Sequence, residues 1–182
     1  MDISKLEKIL AKEPQYRIRQ AKETLFKQFV SDWMEAAVLP IGLRRKLNQE
    51  CPLFIEAKIF ESKNKDTLKI LLTLKDGLKV ESVLMRHKDN RNTVCVSSQV
   101  GCVLNCRFCA TGKLGFKRNL DGFEILEQVL FFCRYLKKEN RVVSNVVFMG
   151  MGEPFLNYDN VLKAIKILND KQGFNIGARH IS

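Results

Sequence analysis

A chain of 182 residues is long enough for one ordinary domain, or for one small domain with part of a larger one. Its composition, 46% apolar and 28% charged, is that of a globular protein. Because it has neither a long apolar run nor a signal-peptide start, we expect a cytoplasmic protein without a membrane partner. The net charge of +11 favours a polyanionic partner, most simply nucleic acid, although lysine-rich proteins without such a partner are common.

The first 50 residues are predicted to be helical. Apolar residues at helical spacing predict one helix over residues 3–10, ended by Pro14, and a second helix with an apolar stripe over residues 21–29. Ser31 is predicted to cap a short third helix, and a fourth spans residues 41–50. Basic residues accompany the second and fourth helices: Arg17, Arg19, Lys22, Lys27, Arg44, Arg45 and Lys46. They could contact RNA, or form the solvated surface of an ordinary helical bundle.

A period of two begins at Phe54. The segments FIEAKIFE, TLKILLTL and LKVESVLM alternate apolar and polar residues, and the Asp76-Gly77 pair is typical of a hairpin turn. We therefore expect a small antiparallel sheet that leads into a strand ending at Cys95.

A repeat of strand, loop and helix follows. Asp121 and Glu124 fit a capping box at the start of a long helix, in which Cys133 is predicted to be a core residue. VVSNVVFMG predicts a strand of a parallel sheet, GMGEP follows it, and a helix over residues 160–169 precedes ARHIS, which begins to resemble a strand. Two such units are the start of a parallel barrel, so the chain is expected to be part of a longer polypeptide.

These patterns predict an α/β fold in which a barrel segment is preceded by helices and a short antiparallel β segment. The predicted divisions are a basic helical domain over residues 1–52, a β-hairpin linker region over 53–90, and the first part of a (βα) barrel over 91–182.

Three cysteines stand close together in the segment before the long helix. Cys102, Cys106 and Cys109 follow the pattern C-x-x-x-C-x-x-C, which neither four-ligand zinc sites nor ferredoxin motifs use. Three thiolates on a four-iron cubane would leave the fourth iron free to bind a small molecule. Three unrelated core cysteines are the alternative, although nearby glycines make the segment loop-like. With nothing to indicate secretion, the spacing favours metal binding over a disulfide framework.

This pattern, with Phe108 before the last cysteine, resembles the radical S-adenosylmethionine (SAM) superfamily. CVSSQVGCVLNCRFCATGKLGFKRNL, followed by VVFMGMGEPFLN, resembles more narrowly the RlmN and Cfr family of dual-specificity radical SAM methyltransferases, and the RlmN type more than Cfr. The resemblance implies a partial radical SAM barrel over residues 91–182 and an RNA-binding helical domain before it. It implies methylation of C2 of an adenine in 23S rRNA and in tRNA, and hence a role in rRNA and tRNA processing.

The resemblance also implies roles for eight residues: Cys102, Cys106 and Cys109 as ligands of a [4Fe-4S] cluster; Gly152, Glu153 and Phe108 in cofactor binding; Glu81 as the proton acceptor; and Cys95 as the thiol that releases the product by forming a disulfide. Without the resemblance, the sequence does not exclude an outward-facing strand carboxylate for Glu81, and it favours a buried strand thiol for Cys95. The methyl-carrying cysteine of the family would lie beyond residue 182, so the chain alone is expected to be inactive.

In the implied reaction, one SAM methylates that cysteine and a second, cleaved by an electron from the cluster, provides the radical that activates the methyl group. The implied partners are RNA and an electron donor such as a flavodoxin or ferredoxin, with the protein acting as a monomer. Two alternatives remain open: another radical SAM enzyme that does not act on RNA, and a non-catalytic RNA-binding protein whose cysteines hold a structural metal.

Overall fold

A computed structural model describes residues 3–182, so Met1 and Asp2 of the predicted helical domain lie outside the described residues. The first part of the chain contains α1 (Ile3–Leu10), α2 (Gln15–Phe26), a 3-10 helix (Trp33–Glu35) and α3 (Ile41–Glu50). Trp33 is fully buried, and its indole N–H donates a hydrogen bond to the carbonyl of Cys51 at 2.8 Å. The predicted helices of this region are therefore confirmed, with a packed aromatic centre.

The cap predicted at Ser31 is wrong by one residue. The carboxylate of Asp32 accepts a hydrogen bond from the N–H of Met34 at 2.6 Å, and the side chain of Glu35 accepts one from the N–H of Asp32 at 3.0 Å. This reciprocal capping box satisfies two N–H groups at the start of the 3-10 helix, which the hydroxyl of Ser31 does not do.

One sheet joins the predicted antiparallel and parallel segments. The strands are β1 (Ala57–Glu61), β2 (Thr67–Thr73), β3 (Lys79–Arg86), β4 (Asn92–Cys95), β5 (Gln99–Val100), β6 (Arg118–Asn119) and β7 (Asn145–Val147). The main sheet has the order β1-β2-β3-β4-β7, with β4 and β7 parallel and the other pairs antiparallel. The hairpin is therefore an extension of the parallel sheet, and the predicted α/β class is confirmed.

The two faces of this sheet differ in their environment. Val83, Cys95 and Val147 pair across β3, β4 and β7, so their side chains share one face, where each is only half-buried. We call this the open face. Val94 and Val146 alternate with these residues and are fully buried on the other face.

Helices complete the apolar core beside the buried face. They are α4 (Ala110–Lys113), α5 (Gly122–Lys137) and α6 (Tyr158–Asn169), the last preceded by a 3-10 turn (Pro154–Asn157). The predicted capping box is confirmed, since the Asp121 carboxylate accepts hydrogen bonds from the N–H groups of Phe123 and Glu124. Cys133 is buried in α5, as predicted.

The end of the chain departs from the prediction. Residues of the ARHIS segment form a 3-10 helix (Ala178–His180), and only Ile181 makes a parallel bridge, to Val146. The strand predicted in VVSNVVFMG is also shorter than expected.

The division of the chain at residues 52 and 90 stays a prediction. Among the described helices, none is long and apolar enough to cross a membrane.

Candidate functional site

The predicted site residues lie near the carboxyl ends of β4 and β7. These strands are parallel, with Cys95 opposite Val147, so the segments that follow them leave the sheet from the same edge. The segment after β4 leads into the cysteine loop, residues 101–109, and the segment after β7 is the GMGEP loop, residues 150–154. The βα topology therefore places both motifs side by side.

Three consecutive buried polar residues join the two segments. The N–H groups of Ser98 and Gln99 donate to the carbonyl of Met151 at 2.8 and 3.2 Å. The hydroxyl of Ser97 accepts a hydrogen bond from the N–H of Met151 at 2.9 Å. The GMGEP loop is therefore held against the segment that enters the cysteine loop through both the N–H and the carbonyl of Met151.

The carboxamide of Gln99 extends this connection. Its Oε1 accepts a hydrogen bond from the N–H of Glu153 at 2.9 Å, and its Nε2 donates to Oδ1 of Asn119, on β6, at 2.8 Å. Gly152 has a φ of +98°, and a Cβ atom at this position would lie 2.5 Å from the Cβ atom of Gln99. Only glycine allows the loop to approach Gln99 this closely.

A second side-chain amide adds two hydrogen bonds to this network. The buried Asn157 donates through Nδ2 to the carbonyls of Ser98 and Leu120, each at 2.7 Å. Sequence reasoning assigned no role to Ser97, Gln99 or Asn157. The available signal was the polar run Ser-Ser-Gln between two apolar segments, since buried polar side chains are retained where they are hydrogen-bonded.

The cysteine loop is irregular and accessible. Cys102 and Cys109 are half-buried and Cys106 is exposed. Hydrogen bonds from the backbone N–H groups of Gly112 and Thr111 lower the pKa of the Cys109 thiol. Within residues 3–182, no group of three or more His, Cys, Asp or Glu side chains is arranged to hold a metal ion, so the three thiols are not gathered around one point.

The residues present nevertheless fit an iron–sulfur cluster by their chemistry. All three thiols are free, and thiolates are the usual protein ligands of such clusters. The hydroxyl of the buried Ser98 has no hydrogen-bond partner among the described residues and could bond to a group held between the two loops. Phe108, in contrast, is 93% exposed, and the structure does not bring its ring against Gly152 or Glu153.

Glu81 on β3 contacts residues at the same edge of the sheet. Its carbonyl accepts a hydrogen bond from the hydroxyl of Ser97 at 2.5 Å, and its N–H lies 3.3 Å from the sulfur of Met151. Its carboxylate is 46% exposed and pairs with the ammonium group of Lys69 at 3.0 Å. Because side chains alternate along a strand, Glu81 shares the open face with Cys95.

The thiol of Cys95 is half-buried on that face. Burial raises its pKa, and a hydrogen bond with the backbone of Met149 partly offsets the rise. Cys95 forms no disulfide in the part of the chain that the structure describes, so the disulfide that the resemblance implied for it is not supported.

We expect Cys95 to be alkylated more slowly in the folded chain than in the urea-unfolded chain. The thiolate is the nucleophile, and a raised pKa lowers its fraction at any pH below that pKa. The labelling rate of Cys95 with iodoacetamide, followed by peptide mass spectrometry, should therefore reach its plateau at a higher pH in the folded state. Equal pH profiles in the two states would contradict this expectation.

Comparisons with known proteins show which family and which proteins this chain is similar to. Residues 96–182 match the family model described as the Radical SAM superfamily. A probable dual-specificity RNA methyltransferase RlmN of Dictyoglomus turgidum is 46% identical over 170 residues, which cover 93% of this chain and 49% of the relative. The ribosomal RNA large subunit methyltransferase N of Nitrosopumilus maritimus is 41% identical over 176 residues, covering 92% and 50%.

A solved structure is also similar over the whole chain. The crystal structure of a radical SAM methyltransferase from Sphaerobacter thermophilus superposes with a TM-score of 0.90 at 39% identity, covering 100% of this chain and 54% of that one. The chain spans about half the length of the relatives that it matches.

Proposed function

We propose that this chain, whose residues 96–182 match the Radical SAM superfamily model and which is similar to RlmN-type RNA methyltransferases, provides the cofactor-binding part of such an enzyme. The proposed reaction is methylation of C2 of an adenine in 23S rRNA and in tRNA. The observation that best supports the proposal is that the GMGEP loop is hydrogen-bonded to Ser97, Ser98 and Gln99, which directly precede the cysteine loop. A structural metal site would not require a second, glycine-dependent loop at this place.

In this proposal Cys102, Cys106 and Cys109 hold a [4Fe-4S] cluster, and Gly152 and Glu153 contact SAM. When bound, the cluster supplies the electron that cleaves SAM and leaves one iron for the cofactor to chelate. The chain fixes the position of the cofactor loop, because Gln99 holds the backbone of Glu153 at 2.9 Å. The Glu153 carboxylate accepts the N–H of Phe155 at 3.1 Å and is charged and half-buried, so it can bind an ammonium group.

Glu81 is proposed as the proton acceptor, with Cys95 as a second reactive group on the open face. The side chain of Glu81 is 46% exposed beside Lys69, so a bound RNA base can reach its carboxylate. The hydrogen bond between Ser97 and the Glu81 carbonyl holds β3 to the edge where SAM is proposed to bind. The half-buried Cys95 thiol stays protonated more readily than a free thiol, because burial raises its pKa.

RNA is proposed to contact the exposed basic residues of the helical region. Arg19, Lys22, Lys27, Arg45 and Lys46 are exposed and can reach phosphates. Two of the predicted basic residues have structural partners instead. Arg17 donates to the carbonyl of Val38 at 3.2 Å, and Arg44 donates to the carbonyl of Met34 at 3.1 Å. An electron donor of the flavodoxin or ferredoxin type and a monomeric state are also part of the proposal.

The proposal is tested by anaerobic reconstitution of the chain with iron and sulfide, followed by electron paramagnetic resonance of the reduced protein. We expect a four-iron signal that changes when SAM is added. Cys106→Ala should lose the signal, because it removes a thiol from the loop. Cys133→Ala is the matched control and should retain it, since this thiol is buried in α5.

Two results would contradict the proposal. A folded wild-type chain without a cluster would reject the cofactor assignment, and a cluster that Cys106→Ala retains would reject the ligand assignment. RNA binding is measured separately by fluorescence anisotropy with a labelled RNA hairpin. A cluster that responds to SAM in a chain that does not bind RNA would favour another radical SAM enzyme.

A further inference from the structure

An aromatic side chain with two lysines lies on the open face of the sheet, away from both motifs. Phe60 on β1 is 42% exposed. The ammonium groups of Lys58 and Lys69 lie 5.2 and 5.8 Å from the centre of its ring. We call Lys58, Phe60 and Lys69 the β1–β2 patch.

The strand register leads from this patch to the proposed proton acceptor. Phe60 pairs with Lys69 on the neighbouring strand, and Lys69 forms its ion pair with Glu81 on the strand beyond. Two strand spacings, about 10 Å, therefore separate Phe60 from the strand that carries Glu81. Neighbouring nucleotides of a bound RNA strand can reach both places at once.

The chemistry of the patch suits an unpaired nucleotide. Bases of single-stranded RNA stack on exposed aromatic rings, and lysines beside the ring bind the phosphates on either side. Lysines also occur on edge strands to prevent sheet-to-sheet aggregation, and β1 is an edge strand. That role requires charge but no aromatic ring, whereas here both lysines lie within 6 Å of the centre of one exposed ring.

We propose that the β1–β2 patch binds a nucleotide next to the adenine that is methylated, with its base stacked on Phe60 and its phosphate held by Lys58. This inference rests on the proposed function, because it assumes an RNA substrate. It adds a second RNA-contacting surface, separate from the helical region and adjacent to Glu81. Lys69 links the two, since it contacts both the ring and the carboxylate.

The test uses the full 182-residue chain and an RNA hairpin that carries 2-aminopurine beside an adenine in a single-stranded loop. Stacking of 2-aminopurine on an aromatic ring quenches its fluorescence, so the signal reports this contact even when the helical region dominates overall affinity. We expect the wild-type chain to quench the fluorescence. Phe60→Ala should abolish most of the quenching and weaken binding by about tenfold.

The same strand provides the matched control. Ile59 is 46% exposed and pairs with the buried Ile70 on the opposite face, so Ile59→Ala should quench as the wild type does. Lys58→Gln should lower the slope of log affinity against log salt by about 0.7, the value for one phosphate contact on a single strand. Lys63→Gln removes the same charge from the exposed β1–β2 turn and should leave the slope unchanged.

The outcomes separate this inference from the function on which it rests. If the hairpin binds and Phe60→Ala quenches as strongly as the wild type, the patch assignment is wrong while RNA binding stands. If Phe60→Ala and Ile59→Ala lose the same amount of quenching, the contact is not specific to the open face and the inference also fails. If the wild-type chain does not bind the hairpin, the RNA substrate is rejected together with the patch.

Discussion

Gly152→Ala is expected to abolish the change that SAM produces in the electron paramagnetic resonance signal and to destabilise the fold by about 2–4 kcal/mol. The added Cβ would lie 2.5 Å from the Cβ and 2.7 Å from the Cγ of Gln99, on a backbone with φ +98°. Gln99 is buried and holds the N–H of Glu153, so its side chain cannot move away without breaking that hydrogen bond. The GMGEP loop would have to move away from Gln99, and the cofactor contacts proposed for residues 152 and 153 would be lost.

Gly77→Ala is the control that separates backbone strain from collision. Gly77 has a φ of +80°, similar to that of Gly152, but a Cβ added there would meet nothing within 4 Å. We expect Gly77→Ala to cost only about 1 kcal/mol and to leave the response to SAM intact. Stability is measured by urea unfolding of both variants. Equal losses of unfolding free energy in the two variants would show that backbone strain alone accounts for the effect and that the Gln99 side chain moves aside.

The motifs that the sequence predicted correctly are those determined by local spacing. The capping box at Asp121 depends on residues three apart, and the hairpin turn at Gly77 depends on two neighbours. The order of strand, loop and helix was likewise sufficient to place the cysteine and GMGEP loops at one edge of a parallel pair. The first two features can be recognised from at most four consecutive residues, and the third from the order of the elements alone.

The contacts that assemble the site could not be read in this way. Ser97 and Gln99 bond to residues 54 positions further along the chain, and Asn157 bonds back to Ser98 across 59. No periodicity relates such pairs, because a buried polar contact depends on which strands become neighbours. The sequence did not predict that the hairpin and the parallel strands form one sheet, because this depends on the pairing of β3 with β4.

The errors at the ends of elements have a different cause. At Asp32 and Ser31, two residues that both favour N-caps are adjacent, and the position of Glu35 three residues after Asp32 decides between them. In ARHIS, the sequence suggested the start of a strand, but residues 178–180 form a 3-10 turn and only Ile181 and Ser182 reach β7. Short segments carry too few residues for periodicity to separate such cases.

The second large effect is expected at the start of the cysteine loop. A Cβ atom on Gly101 would lie 1.7 Å from the carbonyl oxygen and 2.7 Å from the carbonyl carbon of Gly115, which follows α4. Both contacts are with backbone, so no side-chain rotation can relieve them. We expect Gly101→Ala to displace the segment that carries Cys102, Cys106 and Cys109, and to reduce the iron bound after reconstitution by at least about tenfold, with at least about 3 kcal/mol lost from stability.

Gly115→Ala tests whether this loss comes from the collision or from glycine conformation alone. Gly115 has a φ of +70°, close to the +75° of Gly101, but a Cβ atom added to it would meet nothing within 4 Å. Iron content per folded chain, with limited proteolysis of the loop as a second measurement, should be near the wild-type value for Gly115→Ala and low for Gly101→Ala. If Gly101→Ala binds iron as well as Gly115→Ala does, the packing of Gly101 on Gly115 does not position the thiols. The cluster would then impose the geometry of the loop, and the close contact between the two glycines would serve stability alone.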